Sequence, residues 1–219
     1  MTFHYSIAEV APYVNWVYFY HAWGMSSRPE AERQQLRAEA TERLQRYADR
    51  YQTHAVYQLF DAYSEGDDVV VSREGWGADA EVRVPFLRQQ QQGSDCLCLA
   101  DFIAPRNDAP SANTKQIPFA QLGIFATSVD HGLETDFDAD PYEKMMMQLL
   151  ADRLAEATAE VLHLDVRRRL WGYAPDEQLA LDDLLCERWQ GIRPAVGYPS
   201  LPDTSLNFLL DELLDESFC

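Results

Sequence analysis

The first third of the chain has apolar residues at helical spacing. One group of them follows Pro12 and predicts a buried helix, and its members are Tyr13, Trp16, Val17 and Tyr20. Gly24 and the polar residues after it should end this helix. A second helix is predicted from Pro29 to about residue 52, where few apolar residues stand among many charges. One face of that second helix should therefore be solvated.

The pattern changes at residue 55, where short apolar runs alternate with turn-forming residues. The runs are "HAVYQLFDAY", "VVVSRE", "EVRVPF", "CLCLADFIAP" and "FAQLGIFATSV". Their length and β-branched content are typical of strands, so residues 55–129 are predicted to form an antiparallel or mixed sheet. The polar segments 87–95 and 106–118 are predicted to connect strands.

The last third returns to helical periodicity after an acidic loop at 130–141. A long amphipathic helix should begin at Pro141 and run to residue 170. Its apolar stripe is Leu150, Leu154, Ala157 and Val161, and Arg167, Arg168 and Arg169 near its end would complement the helix dipole. Two shorter helices are predicted at 176–190 and 205–219. This succession of helix, sheet and helix predicts one α+β domain over residues 1–219.

Charge narrows the range of partners. The chain has 36 acidic and 18 basic side chains and a formal net charge of −18, so it should repel nucleic acid and could steer a cationic ligand or a basic protein. No apolar run reaches the ~18–20 residues of a membrane span, and no signal peptide is evident. Four cysteines without metal-binding spacing indicate reduced thiols in a cytoplasmic protein, and Cys96 and Cys98 should share one strand face.

No common catalytic or phosphate-binding motif occurs, so we predict no catalytic residue. One helix stripe suggests a metal site, because Glu156, Glu160 and His163 stand at i, i+4 and i+7. Di-iron bundles need two such acid–histidine pairs and two more glutamates, and this chain has one pair. A solvated or cleft-facing stripe is therefore the favoured interpretation, and no metal is predicted.

The segment "GIRPAVGYPSLPD", residues 191–203, is a stronger candidate for a binding site. Arg193 stands before a proline that restricts its backbone, and its guanidinium fork suits a carboxylate. Gly197 permits a close approach of the main chain to a ligand, and Tyr198 could cover one end. Glu156 could pair with an ammonium or sulfonium group. These residues suit a zwitterion with an added positive charge, and the alternative is a rigid turn with a surface arginine.

Several motifs together resemble a known family. "LADRLAEA", "WGYAPDE" and "GIRPAVGYP" occur in the family's order and spacing, and "FLRQQ", "CLADFIAP", "LGIFATS" and "PYVNWVYFY" extend the likeness. The chain thereby resembles the S-adenosylmethionine-binding reactivation domain of cobalamin-dependent methionine synthase. That resemblance implies a single C-shaped α+β unit with a central twisted antiparallel sheet flanked by helices. It also implies a stand-alone version that is short at its C-terminus.

The family's role follows from the oxidation of its cobalamin to inactive cob(II)alamin. The resemblance implies that S-adenosylmethionine donates a methyl group while flavodoxin or another reductant supplies an electron. Cobalamin would be reached only through a cobalamin-binding methionine synthase module as the partner. The domain would therefore be accessory to a methyltransferase in methionine biosynthesis and would not catalyse a reaction alone.

The resemblance also implies which residues bind the methyl donor. Arg193 would bind the donor's carboxylate, Ala195, Gly197 and Tyr198 would supply backbone and packing contacts, and Glu156 would be a ligand-contacting acid. Asn15 stands where the family usually has an aspartate, which removes a negative charge near a cationic ligand. Thr204 replaces a histidine near the cobalamin face, and the chain ends at "ESFC", before a segment that adds a tyrosine to the donor site.

Two functions are consistent with these features of the sequence. In the first, the chain is a reactivation-type subunit that supports reductive remethylation of cob(II)alamin on a partner methionine synthase. In the second, it is a non-catalytic relative that has lost full donor binding and acts as an interaction protein for a corrinoid methyltransferase. The changes at Asn15 and Thr204 and the early end at "ESFC" motivate the second function.

Overall fold

The structure, a computed structural model, describes residues 1–72, 81–90, 96–106 and 120–214. The chain divides into two compact units, one made of Met1–Val56 with Ala126–Gln190 and the other of Tyr57–Phe125 with Gly191–Cys219. Helices and an antiparallel sheet are both present, so the predicted α+β class is confirmed. The assignment of residues 1–219 to a single domain stays a prediction.

The sheet has five strands in the described residues. They are β1 (Thr2–Ser6), β2 (Gln52–Glu65), β3 (Asp68–Ser72), β4 (Val82–Pro85) and β5 (Ala120–Val129). The strands β1 to β4 pair in sequence order, each antiparallel to the next, and β5 also pairs with β2. Strand β1 was not predicted, because its five residues carry too short a pattern to identify a strand without its partner.

Seven α-helices occur in the described part of the chain. They are α1 (Ile7–Val10), α2 (Trp16–Ala22), α3 (Glu30–Arg46), α4 (Gly132–Thr135), α5 (Pro141–Asp165), α6 (Leu181–Leu185) and α7 (Leu206–Leu214). Helix α5 lies in the core of the first unit and buries ten of its residues, among them Met146, Leu150 and Leu154. The predicted apolar stripe of this helix is thus the face that packs in the core.

Helix α5 begins where the sequence predicted and ends earlier. Pro141 is the first helical residue, and the Asp140 carboxylate accepts hydrogen bonds from the backbone N–H groups of Tyr142 and Glu143. The α-helical pattern stops at Asp165, and Val166–Leu170 form a π-helical turn. The preceding segment, predicted to be an acidic loop, contains the short helix α4.

The aromatic segment near the N-terminus differs from its prediction in detail. A 3₁₀ turn occupies Ala11–Tyr13, and helix α2 begins only at Trp16. Val17 was predicted to be buried but is 70% exposed, whereas Phe19 is fully buried. Tyr13, Trp16 and Tyr20 are partly buried and pack against the core, so Val17 is the one member of the predicted face that is exposed. Gly24, with φ +73°, follows the helix end, as predicted.

The prediction of a central strand at "CLCLADFIAP" is wrong. Leu99–Phe102 form a 3₁₀ turn, and the Asp101 carboxylate caps it by accepting from the backbone N–H of Cys98 at 2.9 Å. Cys96 has φ +31° and is exposed, whereas Cys98 is buried, so the two thiols do not share a strand face. A short apolar run cannot distinguish a strand from a capped turn by periodicity alone.

The C-terminal helices are shorter than predicted. Of the segment 176–190, only Leu181–Leu185 is helical, and of 205–219 the described helix is Leu206–Leu214. The predicted connecting segments at 87–95 and 106–118 lie largely outside the described residues, as do residues 215–219.

Candidate functional site

The segment 191–203 is a turn held by its own backbone. The Gly197 N–H donates to the carbonyl of Leu201, and the Leu201 N–H donates to the carbonyl of Tyr198, both at 2.8 Å. The Tyr198 N–H donates to the carbonyl of Ala195 at 3.3 Å. Gly197 has φ +92°, a conformation that side chains with a Cβ rarely adopt. These three hydrogen bonds therefore fix a short loop in which glycine is needed for its backbone conformation.

The loop presents its predicted binding groups at the surface. Tyr198 is 61% exposed, Ala195 and Gly197 are exposed, and Arg193 is half-buried. A Cβ built on Gly197 would meet the Thr204 methyl group at 3.6 Å, an ordinary contact distance. Thr204 therefore lies beside the turn, and glycine is required at 197 by its φ rather than by lack of space.

An open groove of about 610 Å³ lies in the same unit and is lined partly by Pro199 and Pro202 of this loop. Arg88 also lines it and is fixed by two carboxylates. Its guanidinium donates to both oxygens of Asp101 at 2.8 Å and to Asp67 Oδ1 at 2.6 and 2.9 Å. The hydrogen bonds from Arg88, together with one from the Cys98 backbone N–H, lower the pKa of the Asp101 carboxyl to about 2, well below its usual range. The Arg88 guanidinium is thus a fixed charged group in the lining of the groove.

Asn15 and Glu156 lie in the first unit. Asn15 is the N-cap of helix α2, and its side-chain oxygen accepts from the Val17 N–H at 3.2 Å. Glu156 is exposed on helix α5, next to the buried Ala157. Asn15 is therefore fixed as the cap of helix α2, and Glu156 projects from the exposed face of helix α5.

A buried ion pair in the first unit was not predicted from the sequence. Arg167 is fully buried, and its Nε and Nη2 donate to both carboxylate oxygens of Glu177 at 2.7 to 3.0 Å. Arg167 was predicted to complement a helix dipole, but its main partner is this carboxylate. Arg168 Nη2 donates to the Glu177 carbonyl at 2.6 Å. The signal available in the sequence was Glu177 in "WGYAPDE", ten residues after Arg167.

Aromatic residues complete the surroundings of this pair. The Arg167 guanidinium lies 5.4 Å from the ring centroid of Trp189, and the His163 ring meets Trp189 edge-on at 4.5 Å. The Tyr173 hydroxyl donates to the Gln190 carbonyl at 3.2 Å, and burial raises the pKa of Tyr173. The ion pair and these contacts fix the end of the segment that leads into the loop at 191.

The residues of the α5 stripe that suggested a metal site differ in their burial. His163 is buried against Trp189, whereas Glu156 is exposed. Within residues 1–72, 81–90, 96–106 and 120–214, no group of three or more His, Cys, Asp or Glu is arranged to hold a metal ion. In those same ranges, no helix has the length and apolarity needed to cross a membrane.

Comparison with protein-family models identifies the family to which the chain belongs. Residues 6–218 match the family described as vitamin B12 dependent methionine synthase, activation domain. The chain belongs to this family. A solved structure, the crystal structure of the MetH reactivation domain bound to AdoHcy, is similar over 98% of this chain and 69% of that one, with 33% identity and a TM-score of 0.84. The resemblance stated from the motifs is thus confirmed for an activation domain.

Proposed function

We propose that the chain is a reactivation-type subunit that binds S-adenosylmethionine and supports reductive remethylation of cob(II)alamin on a partner methionine synthase. The observation that carries the proposal is the similarity to a reactivation domain whose structure contains AdoHcy, at 33% identity over 98% of the chain. Membership of the activation-domain family supports the same function.

The loop at 191–198 supplies groups suited to the amino-acid end of the donor. Arg193 presents a guanidinium fork, which binds a carboxylate through two parallel charge-assisted hydrogen bonds. Gly197 has a positive φ, and the Tyr198 N–H donates to the Ala195 carbonyl, so the backbone of this turn is held in one conformation. Such a fixed backbone loses little conformational freedom when a ligand binds. The exposed Tyr198 ring offers a surface for packing.

Glu156 and Asn15 suit the cationic part of the donor. The Glu156 carboxylate is exposed on a long helix, so it is available to attract a sulfonium or ammonium group. Asn15 adds a dipole rather than a charge, and part of its hydrogen-bonding capacity is used to cap helix α2. We therefore propose that this chain binds the donor more weakly than a version with aspartate at position 15.

The partner in this proposal is a cobalamin-binding methionine synthase module, with flavodoxin or another reductant as the electron source. When bound in that module, the cobalamin supplies the methyl-accepting centre. The residues of this chain bind and orient the methyl donor, and none of them is assigned an acid, base or nucleophile role. The net charge of −18 disfavours nucleic acid as a partner. We place this function in the cytoplasm.

The proposal is tested by binding S-adenosylmethionine and AdoHcy to the wild type and to Glu156→Gln. The matched control is Asp152→Asn, since Asp152 is an exposed acid one turn earlier on helix α5. We expect Glu156→Gln to weaken S-adenosylmethionine binding more than AdoHcy binding, because AdoHcy lacks the sulfonium charge. The wild type should also restore activity to an inactivated synthase that lacks its own activation domain. Absence of both binding and rescue would refute the proposal.

A second candidate function is a non-catalytic interaction protein for a corrinoid methyltransferase. The observations that favour it are Thr204, which lies beside the turn and stands where the family usually has a histidine, and the uncharged Asn15. This function predicts capture of a corrinoid protein by the purified chain without measurable S-adenosylmethionine affinity. Donor binding in the micromolar range would argue against it.

A further inference from the structure

Two histidines face each other on neighbouring strands of the first unit. His4 in β1 and His54 in β2 are directly opposite in the antiparallel register. Their Nδ1 atoms are 2.8 Å apart, and the two rings meet edge-on with centroids 5.0 Å apart. Side chains at directly opposite positions on two paired strands lie close together. The pairing of β1 with β2 therefore places two imidazole nitrogens within hydrogen-bonding distance of each other.

A carboxylate sets which nitrogen of His54 carries hydrogen. His54 Nε2 is 2.7 Å from Asp130 Oδ1, and Asp130 Oδ2 accepts from the Gln52 backbone N–H at 2.8 Å. An ionised carboxylate only accepts hydrogen bonds, so His54 Nε2 carries the proton. In neutral His54 the Nδ1 lone pair is consequently directed away from Asp130, toward His4.

This arrangement matches the surroundings of metal-binding histidines. Such histidines commonly donate their second ring N–H to a carboxylate, which fixes the tautomer and makes the ligating nitrogen more basic. Asp130 holds His54 in that way. His4 is exposed, so its ring has room to adjust, and a metal cation would replace the proton in the hydrogen bond that joins its Nδ1 to His54 Nδ1.

We propose that His4 and His54 form a binding site for a divalent transition-metal cation, with Asp130 orienting His54 and water completing the coordination. Metal–nitrogen bonds of about 2.0–2.1 Å across a nitrogen separation of 2.8 Å correspond to an angle of about 84–89° at the metal. That angle fits the square or tetragonal geometry of Cu²⁺ and Ni²⁺ better than the tetrahedral geometry of Zn²⁺. The site therefore favours Cu²⁺.

Two protein ligands make this an exposed, open site rather than an enclosed metal centre. It is consistent with the finding that no group of three metal-ligating side chains occurs in the described ranges. The acidic surface raises the local concentration of cations around it. The site uses none of the residues proposed to bind S-adenosylmethionine, so it is independent of the function proposed above.

The test uses the tag-free chain of 219 residues, titrated with Cu²⁺ in a competing glycine buffer and followed by electron paramagnetic resonance. The variants are His4→Gln, His54→Gln and Asp130→Asn, and the control is His21→Gln, since His21 is an exposed histidine on helix α2. The Asp130→Asn substitution keeps a side-chain oxygen that can accept from the Gln52 backbone N–H, and it removes the carboxylate charge. Circular dichroism confirms that each variant is folded.

We expect one Cu²⁺ per chain with two nitrogen ligands in its spectrum and weaker binding of Zn²⁺. Each histidine substitution should lower Cu²⁺ affinity at least tenfold, and Asp130→Asn should lower it about 10–100-fold, the usual effect of losing an outer-shell partner. The control should bind as the wild type does. Equal affinity in His4→Gln and the wild type, or a spectrum with a single nitrogen ligand, would overturn the proposal.

Discussion

The replacement Glu177→Ala should destabilise the protein strongly. Arg167 is fully buried, and three of its hydrogen bonds, at 2.7 to 3.0 Å, go to the Glu177 carboxylate. Arg167 Nη1 has no hydrogen-bond partner within the described residues, so the carboxylate is the main compensation for burial of the charge. Removing one partner of a buried ion pair typically costs about 3–5 kcal/mol in the free energy of unfolding. We expect a loss in that range.

Urea denaturation followed by tryptophan fluorescence measures this loss. With a slope of about 2–3 kcal/mol per M urea, a loss of about 3–5 kcal/mol lowers the midpoint by about 1–2.5 M. The control is Glu42→Ala, which breaks an exposed pair with Arg46 and should change the free energy by less than about 0.5 kcal/mol.

A double replacement, Arg167→Met with Glu177→Leu, separates the effect of an unpaired buried charge from the effect of lost packing. Because it removes both charges, it should be far less destabilising than Glu177→Ala alone. A cost below about 1 kcal/mol for Glu177→Ala, or an equally large loss in the double variant, would refute this reasoning.

Three further predictions concern the cap, the turn and acid stability. Asn15→Asp should increase S-adenosylmethionine affinity in calorimetry and leave the melting temperature nearly unchanged, because aspartate caps helices about as well as asparagine; unchanged affinity would contradict the role of this position. Gly197→Ala should cost about 1–3 kcal/mol in urea denaturation, since φ is +92° there, and should weaken donor binding; a neutral effect would show that the turn relaxes. Hydrogen bonds from Arg88 and from the Cys98 N–H lower the pKa of Asp101 from 3.8 to about 2. The ionised Asp101 therefore stabilises the folded protein above pH 4, and this contribution is lost as the pH falls toward 2. The melting-temperature difference between wild type and Asp101→Asn should therefore shrink over that interval, and a constant difference would argue against it.

The elements with local signals could be predicted from the sequence. Helix α5 begins at Pro141 because the proline and the Asp140 cap act within one turn, and its apolar stripe predicted the buried face. Strand β1 and the 3₁₀ turn after Cys98 could not be predicted in this way. The first depends on its pairing with β2. The second is capped locally by Asp101, whose carboxylate is held in turn by Arg88 from another segment of the chain.

The candidate site was predictable to a similar extent. Glycines and prolines at 191–203 predicted a rigid turn, and the positive φ of Gly197 agrees with that prediction. Asn15 carries no sign of a binding role in the local pattern and was named only from the family resemblance. The buried Arg167–Glu177 pair was missed because arginine near a helix end is ordinarily exposed, and only the folded structure shows that it is covered.

The most direct test of donor binding is a calorimetric comparison of two ligands on two proteins. The ligands are S-adenosylmethionine and its decarboxylated form, and the proteins are the wild type and Arg193→Ala. If Arg193 binds the carboxylate, the substitution should weaken S-adenosylmethionine binding at least tenfold, about 1.4 kcal/mol, and leave binding of the decarboxylated ligand almost unchanged. No binding of S-adenosylmethionine to the wild type, or an equal loss with both ligands, would contradict the account.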